Sequence, residues 1–329
     1  MKNWNDLTEQ GQVRRLRKLA GLALEKYDVD VASLRLIAAH TNTLFRVNGH
    51  DGQKYALRIS TPGEHTLRDN QIELKWLDIL SKQTNLPVPT PIHNRAGELI
   101  TQMTMDGVEG ERRCTLFEWV PGKPLADYLS PKTYRQFGEL MARMHQFSET
   151  FFANTAWPEH LRPMKWDRVF YYPDEPNVLF DENYRNFFSA ARLDLIQQVI
   201  EKVEPILAGL YTAQETPMII HGDLHMWNVH YHRGNLYLID FEDVMWGYPI
   251  QDIAITLGYG DDREDYLALR AAFREGYSSI RQWPGNDATI AALDAARTVM
   301  FVNYVAHSMK KPEPHIDRLC NALSRYLAG

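Results

Sequence analysis

The stretch from residue 217 to residue 243 constrains the fold more than any other part of the chain. Two short apolar segments, 218–220 and 235–239, are bounded by proline, glycine and asparagine, a pattern that predicts buried strands. Between them lies His-Gly-Asp-Leu-His-Met-Trp-Asn at 221–228, and Asp-Phe-Glu-Asp at 240–243 follows the second segment. The polar residues are therefore expected on a loop between two strands and at the end of the second strand, where proteins often place their chemistry.

Three polar side chains in this stretch have the spacing that phosphoryl transfer uses. Asp223 and Asn228 are five positions apart, and Asp240 follows twelve positions later. One carboxylate can accept the proton of an attacking hydroxyl, while the asparagine and the second carboxylate hold Mg²⁺ against the ATP phosphates. The alternative is that these residues only form turns and that His221 is a buried structural histidine. The joint occurrence between two strands favours the phosphotransferase interpretation.

Composition argues against several classes of protein. The chain has 329 residues, enough for about two domains, and its net charge of −6 argues against nucleic acid as the main partner. Cys114 and Cys320 form no pattern typical of disulfides or a zinc cluster, which favours a reducing cytoplasm. No signal-peptide hydrophobic region and no run of about 18 apolar residues is found. We therefore expect a cytoplasmic protein without nucleic acid or membrane partners.

The motif resembles the catalytic core of the aminoglycoside phosphotransferase and choline kinase family. The matching residues are His-Gly-Asp-Leu-His-x-x-Asn and the later Ile-Asp-Phe-Glu-Asp, and supporting matches run from about residue 33 to residue 260. Homoserine kinases and a bacterial stress-response kinase have the same fold. The resemblance implies an α+β, bilobal protein-kinase-like fold, with a small antiparallel-sheet N-lobe and a larger, mainly helical C-lobe. It implies a nucleotide-binding lobe at 1–120 and a catalytic, substrate-binding lobe at 121–329.

The resemblance also implies nucleotide-binding residues in the N-terminal lobe. In kinases the third strand carries a lysine that pairs with the ATP phosphates and with a helix glutamate. Here Tyr-Ala-Leu-Arg-Ile at 55–59 places Arg58 at that position, and arginine can bind phosphate bidentately. Glu73, in a helix expected at 64–83, is then predicted to form an ion pair with Arg58. The alternatives are a surface arginine on an edge strand and an exposed glutamate.

Two further segments of this lobe are assigned by their position. The turn at 40–43 would cover the phosphates, but it contains no glycine. The side chains of Asn42 or Thr43 are therefore expected to replace close approach of the backbone. The strand expected at 114–122 leads, in the family, into the hinge between lobes. Backbone groups from Phe117 to Trp119 are accordingly expected to bind adenine.

Four other polar residues are expected to support the motif. His225 falls where protein kinases place a phosphate-contacting lysine, so it is expected to touch the γ-phosphate, with loop packing as the alternative. His221 is expected to brace the loop, and His145 to be structural. Asp252 matches a family aspartate that caps a helix and hydrogen-bonds back to the catalytic loop.

The sequence leaves two interpretations for each of two further regions. The aromatic-rich stretch at 151–186 either forms a cation–π box for a quaternary ammonium group or packs a long loop onto the domain, and packing is favoured. Asp261, Asp262, Glu264 and Asp265 either hold substrate amines or complement a helix dipole, which is favoured. Helical periodicity predicts helices at 10–27, 64–83, 133–149, 187–210, 262–280, 287–308 and 313–327.

The sequence thus predicts an ATP-dependent enzyme that moves the γ-phosphoryl group to a hydroxyl of a small molecule. Aminoglycosides, amino alcohols, homoserine and sugars all fit the same residues. One alternative is a kinase-like regulator without activity, which the glycine-free turn keeps open. Another is a metal-dependent hydrolase, with His221, Asp223 and His225 joined by His230 and His232. The oligomeric state is not predicted.

Overall fold

The chain forms two compact units. The structure is a computed structural model that describes residues 2–173, 175–212, 216–259 and 263–329. Unit 1 consists of Met1–Lys123, Pro158–Leu161 and His230–Glu242, and unit 2 consists of Pro124–Trp157, Arg162–Val229 and Asp243–Gly329. The division at residue 120 expected from the sequence treats each unit as one continuous stretch. The structure instead returns two later segments of the chain to unit 1.

Eleven strands are found in the described part of the chain. In order they are β1 (Val31–Ala39), β2 (Asn42–Gly49), β3 (Lys54–Ser60), β4 (Pro91–Ile92), β5 (Thr101–Met103), β6 (Arg112–Glu118), β7 (Lys123–Pro124), β8 (Met218–Ile220), β9 (Val229–His232), β10 (Asn235–Leu238) and β11 (Met245–Gly247). The largest sheet lies in unit 1, is antiparallel, and has the order β1-β2-β3-β6-β4, with β5 also paired to β6. Smaller sheets have the orders β10-β9-β7 and β11-β8.

The core of unit 1 lies between its first helix and this sheet. Helix α1 (Glu9–Leu24) begins after Thr8, whose side chain accepts the backbone N–H of Gly11, as an N-cap should. The buried apolar residues of α1 recur every three or four positions, because that spacing keeps them on one face of a helix. They pack against the inward-facing residues of β2, β3 and β6. The members of this core are Leu16, Leu19, Ala20, Ala23, Leu24, Tyr27, Phe45, Val47, Leu57, Ile59, Cys114 and Leu116.

Apart from the helix Pro249–Gly258, for which no bounds were predicted, the remaining helices confirm the predicted ones, with ends displaced by a few residues. Helix α2 (Leu67–Gln83) belongs to unit 1, and α5 (Pro249–Gly258) is the first helix in the last segment of unit 2. The others are α3 (Pro131–Asn154), α4 (Ala190–Leu210), α6 (Tyr266–Ser278), α7 (Asp287–Ser308) and α8 (Glu313–Ala328). No helix in the described ranges is long and apolar enough to cross a membrane.

Unit 2 is organised around α7, which packs against α4, α5 and α8, while α3 packs against α6. In the α3–α6 contact the rings of Phe137 and Phe273 meet edge to face at 5.4 Å. Trp166 and Tyr171 of the aromatic-rich stretch are buried, which agrees with the packing interpretation. Of the acidic cluster, Asp261 and Asp262 lie outside the described residues.

Candidate functional site

The backbone of the loop after β8 is held by one buried aspartate. Asp252 accepts the backbone N–H of His221 through Oδ2 at 2.9 Å and that of Gly222 through Oδ1 at 2.8 Å. His145 donates from Nε2 to Oδ2 at 3.0 Å. Burial alone would raise the pKa of Asp252, but the hydrogen bond and charge of His145, with His221, lower it. The predicted contact of Asp252 with the catalytic loop is confirmed. Asp252 lies within the first turn of α5, whose N-cap is Tyr248, so it is not itself the cap.

Gly222 allows the chain to turn sharply just before Asp223. Its φ is +82°, a region that residues with a Cβ rarely adopt. A Cβ at this position would also collide with the carbonyl oxygen of Asp243. Further along the loop, Thr256 of α5 donates to the carbonyl of Leu224 at 2.5 Å. The loop conformation is therefore set by α5 and by the glycine together.

The carboxylate of Asp223 is contacted at both oxygens. Asn228 donates from Nδ2 to Oδ2 at 3.0 Å, and Nε2 of His225 lies 3.4 Å from the same oxygen. The guanidinium of Arg297 donates to Oδ1. Burial would raise the pKa of Asp223, but His225 and Arg297 outweigh it and lower the pKa to about 2. Asp223 is therefore ionised at neutral pH.

The structure brings the predicted residues Asp223, His225 and Asn228 together on this loop. The backbone N–H of Trp227 donates to Nδ1 of His225 at 3.2 Å, which leaves the ring proton on Nε2, facing Asp223. Asn228 uses its Nδ2 for Asp223, so its Oδ1 is the atom that suits a cation. A γ-phosphate contact by His225 stays a prediction, as does a metal contact by Asn228.

Sequence reasoning missed Arg297. It lies on α7, is 7% exposed, and is the only lysine or arginine between residues 287 and 308. A lone basic residue in a long apolar helix was the signal that could have drawn attention to it. Its partner could not be named from the sequence, because Asp223 lies 74 positions away.

In unit 1, the predicted ion pair between Arg58 and Glu73 is confirmed. Nη1 and Nη2 of Arg58 donate to the two oxygens of Glu73 at 2.8 and 2.5 Å, and both side chains are buried. Burial would lower the pKa of Arg58, but the negative charges of Glu73 and Glu242 raise it. The guanidinium also lies over the ring of Phe117, at 5.3 Å from its centroid. The role of this pair in phosphate binding stays a prediction.

Glu242 is a second residue that sequence reasoning missed. It accepts from Nδ2 of Asn42 at 2.5 Å through Oε2, and its Oε1 lies 3.4 Å from Nη1 of Arg58. The nearest signal was its place two residues after Asp240 in Ile-Asp-Phe-Glu-Asp. Asn42 was expected in a turn, but it begins β2 and is 7% exposed, because its side chain reaches Glu242.

Asp240 follows the end of β10 in an unusual backbone conformation. Its φ is +65°, in the left-handed region that residues other than glycine rarely occupy. Its charge also raises the pKa of Arg58. Such conformations recur where a side chain must be aimed in a particular direction. The metal-binding role predicted for Asp240 agrees with this conformation but is not tested by it.

The segment from Phe117 to Trp119 uses its amides within unit 1. The N–H of Glu118 donates to the carbonyl of Thr90 at 2.9 Å, and that of Trp119 donates to the carbonyl of Lys54 at 3.1 Å. Adenine recognition through an N–H group would therefore require residue 120 or a later one. The ring of Trp119 lies under the guanidinium of Arg46 at 5.9 Å, while adenine binding here stays a prediction.

The sequence suggests two kinds of metal site, one with histidine and aspartate ligands and one with oxygen ligands for Mg²⁺. Within the described ranges, no group of three or more His, Cys, Asp or Glu side chains is arranged to hold a metal ion. The hydrolase alternative thus has no such cluster in that part of the chain. Asn228 and Asp240 offer amide and carboxylate oxygens, the hard ligands that suit Mg²⁺, which commonly takes its remaining ligands from water and phosphate.

The chain belongs to the phosphotransferase enzyme family, whose model matches residues 33–287. An uncharacterized protein from Synechocystis sp. is 28% identical over 232 residues, which cover 69% of this chain and 60% of that protein. The chain therefore spans less than two thirds of that relative's length.

Solved structures show the same fold. A microcompartment-associated aminopropanol kinase has a TM-score of 0.78 and 20% identity, covering 95% of this chain and 98% of that chain. An amicoumacin kinase in complex with AMP-PNP and Ca²⁺ has a TM-score of 0.76 and 18% identity, covering 97% of this chain and 96% of that chain. The α+β, protein-kinase-like fold class predicted from the sequence is confirmed.

Proposed function

We propose that this chain transfers the γ-phosphoryl group of ATP to a hydroxyl of a small molecule. The observation that carries the proposal is the ionised carboxylate of Asp223, which accepts from Arg297 and Asn228 on a loop of the kinase type. Membership of the phosphotransferase family supports it. The solved amicoumacin kinase binds a nucleotide analogue, which supports ATP as the donor here.

In the proposed reaction, Asp223 accepts the proton of the acceptor hydroxyl. The hydroxyl oxygen forms a bond to the γ-phosphorus while the bond from that phosphorus to the β–γ bridging oxygen breaks, and ADP leaves. Because the transition state of phosphoryl transfer is loose, most of the acceleration comes from positioning and charge neutralisation. The orientation of Asp223 is therefore as important as its basicity. His225, beside the same carboxylate, is the proposed contact to the γ-phosphate.

Arg58 and Glu73 of unit 1 are among the residues proposed to hold the nucleotide. Arg58, held by Glu73, supplies positive charge to the ATP phosphates, and its Nε has no hydrogen-bond partner among the described residues. Asn228 and Asp240 would hold Mg²⁺, which when bound neutralises charge on the β- and γ-phosphates. The segment from Phe117 to Trp119 is proposed to lie beside the adenine.

The acceptor is proposed as a small hydroxyl compound of the aminoglycoside, amino alcohol, homoserine or sugar type. Two structural neighbours are kinases of aminopropanol and of amicoumacin, which agrees with a small molecule as the acceptor. We propose no nucleic acid or membrane partner and a cytoplasmic location, as the composition predicts. An inactive regulator is the second candidate, because the β1–β2 turn contains no glycine.

The test is ADP release from ATP and Mg²⁺ with a panel of small hydroxyl acceptors. We expect Asp223→Asn to lower kcat by about 10²–10⁴-fold, since a general base contributes that much, while the KM for ATP changes little. The matched control is Asp28→Asn, whose carboxylate is 86% exposed in an ion pair with Arg95 and should leave turnover unchanged. Wild-type turnover in Asp223→Asn would contradict the assignment. ATP binding without turnover on any acceptor would favour the regulator.

A further inference from the structure

One contact of Asp223 comes from a residue that has no role in the reaction proposed above. Arg297 reaches this carboxylate from α7, far from the loop in sequence. The same Nη2 atom lies 3.4 Å from the hydroxyl oxygen of Tyr259. Arg297 therefore joins a helix of the unit 2 core to the group proposed as the base.

The guanidinium of Arg297 is held by aromatic rings. Its central carbon lies 4.7 Å from the ring centroid of Phe301 and 5.8 Å from that of Tyr259. Phe301 follows Arg297 by four residues on α7, so the two side chains share one face of the helix. Contacts of this kind restrict a long side chain to few rotamers. The donor that reaches Asp223 is therefore a rigid one.

Different donors contact the two carboxylate oxygens of Asp223. Oδ1 accepts from Arg297, and Oδ2 accepts from Asn228, with His225 nearby. A carboxylate has about four lone-pair sites, so contacts at both ends fix its rotation and still leave a site for a hydroxyl proton. Without Arg297 the remaining side-chain contacts from the described residues would all fall on Oδ2, and the carboxylate could turn about that oxygen.

The position of Arg297 is not explained by stability. Nε of Arg297 is buried and has no hydrogen-bond partner among the described residues, and an unsatisfied buried donor destabilises the folded state. Replacing a buried ion pair by apolar residues of similar volume is often neutral or stabilising. A methionine would fill this part of α7 without the unpaired donor. An arginine that the core does not require, placed against the proposed base, indicates a role in the reaction.

We propose that Arg297 is a positioning residue, which fixes the orientation of Asp223 so that this carboxylate meets the acceptor hydroxyl. The inference rests on the proposed phosphotransfer function. In this proposal Arg297 acts through Asp223 and not through a contact of its own with substrate. Misplacing a reacting group by about 1 Å can cost 10²-fold in rate, so the effect of removing it falls on kcat.

The experiment is steady-state ADP release by Arg297→Met and Arg297→Lys. We expect kcat to fall about 10²-fold in the methionine variant, while the KM for ATP stays within about twofold. Lysine keeps the charge but presents a single ammonium in place of the planar fork, so its kcat should fall less, by about tenfold. A third variant, Arg297→Ala, leaves room for a guanidinium ion, and adding guanidinium chloride at low, non-denaturing concentration should recover part of its kcat.

The matched control is Arg112→Met. Arg112 is also buried, at 3% exposure, lies over the ring of Trp4 at 5.0 Å, and donates to the carbonyl of Ser60 in β3. We expect this variant to lose thermal stability without a specific loss of kcat and without response to guanidinium. If Arg297→Met does not fold, the lysine variant and the guanidinium recovery decide the question.

The outcomes separate this inference from the proposed function. Wild-type kcat in folded Arg297→Met, or a loss no larger than in Arg112→Met, would overturn the positioning role and leave the kinase assignment intact. Absence of guanidinium recovery together with a wild-type kcat in the lysine variant would overturn it as well. A wild-type enzyme that releases no ADP with any acceptor would overturn the proposed function and this inference with it.

Discussion

At the scale of single residues, Glu73 shows how a buried charge is tolerated. Its side chain is 2% exposed, and burial raises its pKa, while Arg58 opposes that rise. The pair has the fork geometry in which two parallel hydrogen bonds join arginine to a carboxylate. Because removing one partner leaves the other charge buried and unpaired, such pairs are costly to break even when they add little net stability.

We expect Glu73→Gln to lower the free energy of unfolding by about 3 kcal/mol, since it removes the charge that compensates Arg58. The freed guanidinium should shift towards Glu242, which already lies 3.4 Å away. The KM for ATP should therefore rise. Urea unfolding and ADP release measure the two effects. An unfolding free energy equal to that of the wild type would show that the ion pair is dispensable.

At the scale of elements, the catalytic loop depends on the first turn of α5. Asp252 sits there, where a negative charge also complements the helix dipole, and accepts two successive backbone N–H groups of the loop. The helix therefore acts as a fixed support for the residues that lead into Asp223. Strand β8 comes directly before the catalytic loop and β11 comes shortly before α5, and each has only three residues.

The same contact predicts how stability depends on pH. The pKa of Asp252 is lowered below its ordinary value of 3.8, so its contribution to stability is present above about pH 4 and is lost as the pH falls through the lowered pKa. Asp252→Asn should be destabilised by about 3 kcal/mol at pH 7, because the amide cannot accept at both positions. The difference from wild type should shrink below pH 4.

Urea unfolding at pH 7, 5 and 3.5 measures this difference. Asp28→Asn is the control, since this carboxylate is 86% exposed in an ion pair with Arg95 and its removal should cost little stability. A wild-type minus Asp252→Asn difference that stays constant down to pH 3.5 would show that Asp252 does not retain its charge as proposed.

At the scale of the whole molecule, each of the two compact units is built from more than one stretch of the chain. The segment His230–Glu242 belongs to unit 1, where the N–H of Leu238 donates to the carbonyl of Pro87 at 2.9 Å and Glu242 contacts Asn42. The motif that follows β8 is therefore shared, with Asp223 and Asn228 in unit 2 and Asp240 in unit 1.

We expect ATP to raise the melting temperature only when Mg²⁺ is present. A ligand at about a hundredfold excess over its Kd stabilises the folded state by about 2.7 kcal/mol. Asp240→Ala should abolish the Mg²⁺-dependent part, whereas Asp28→Ala, at an exposed position, should retain it. Thermal melts of the three proteins with ATP, with and without Mg²⁺, measure this. Equal shifts with and without Mg²⁺ in the wild type would contradict the assigned metal ligands.

Much of the fold was predictable because its signals are local. Apolar residues at helical spacing predicted the long helices, and alternation with turn residues predicted β1, β2 and β3. The short strands β9 and β11 were missed, since three or four residues show no period, and β8 and β10 were found only as apolar segments bounded by turn residues. The Arg58–Glu73 contact was predicted only through resemblance to kinases, and the structure confirms it.

The sequence by itself determined the helices, the loop carrying Asp223 and Asn228, and the kind of chemistry these residues suit. Only the tertiary structure decided which distant side chains contact the residues of the candidate site. Arg297 meets Asp223 across 74 positions, and Glu242 meets Asn42 across 200. No periodic or motif signal spans such distances, because these contacts arise from how whole elements pack and not from the local preferences of the chain.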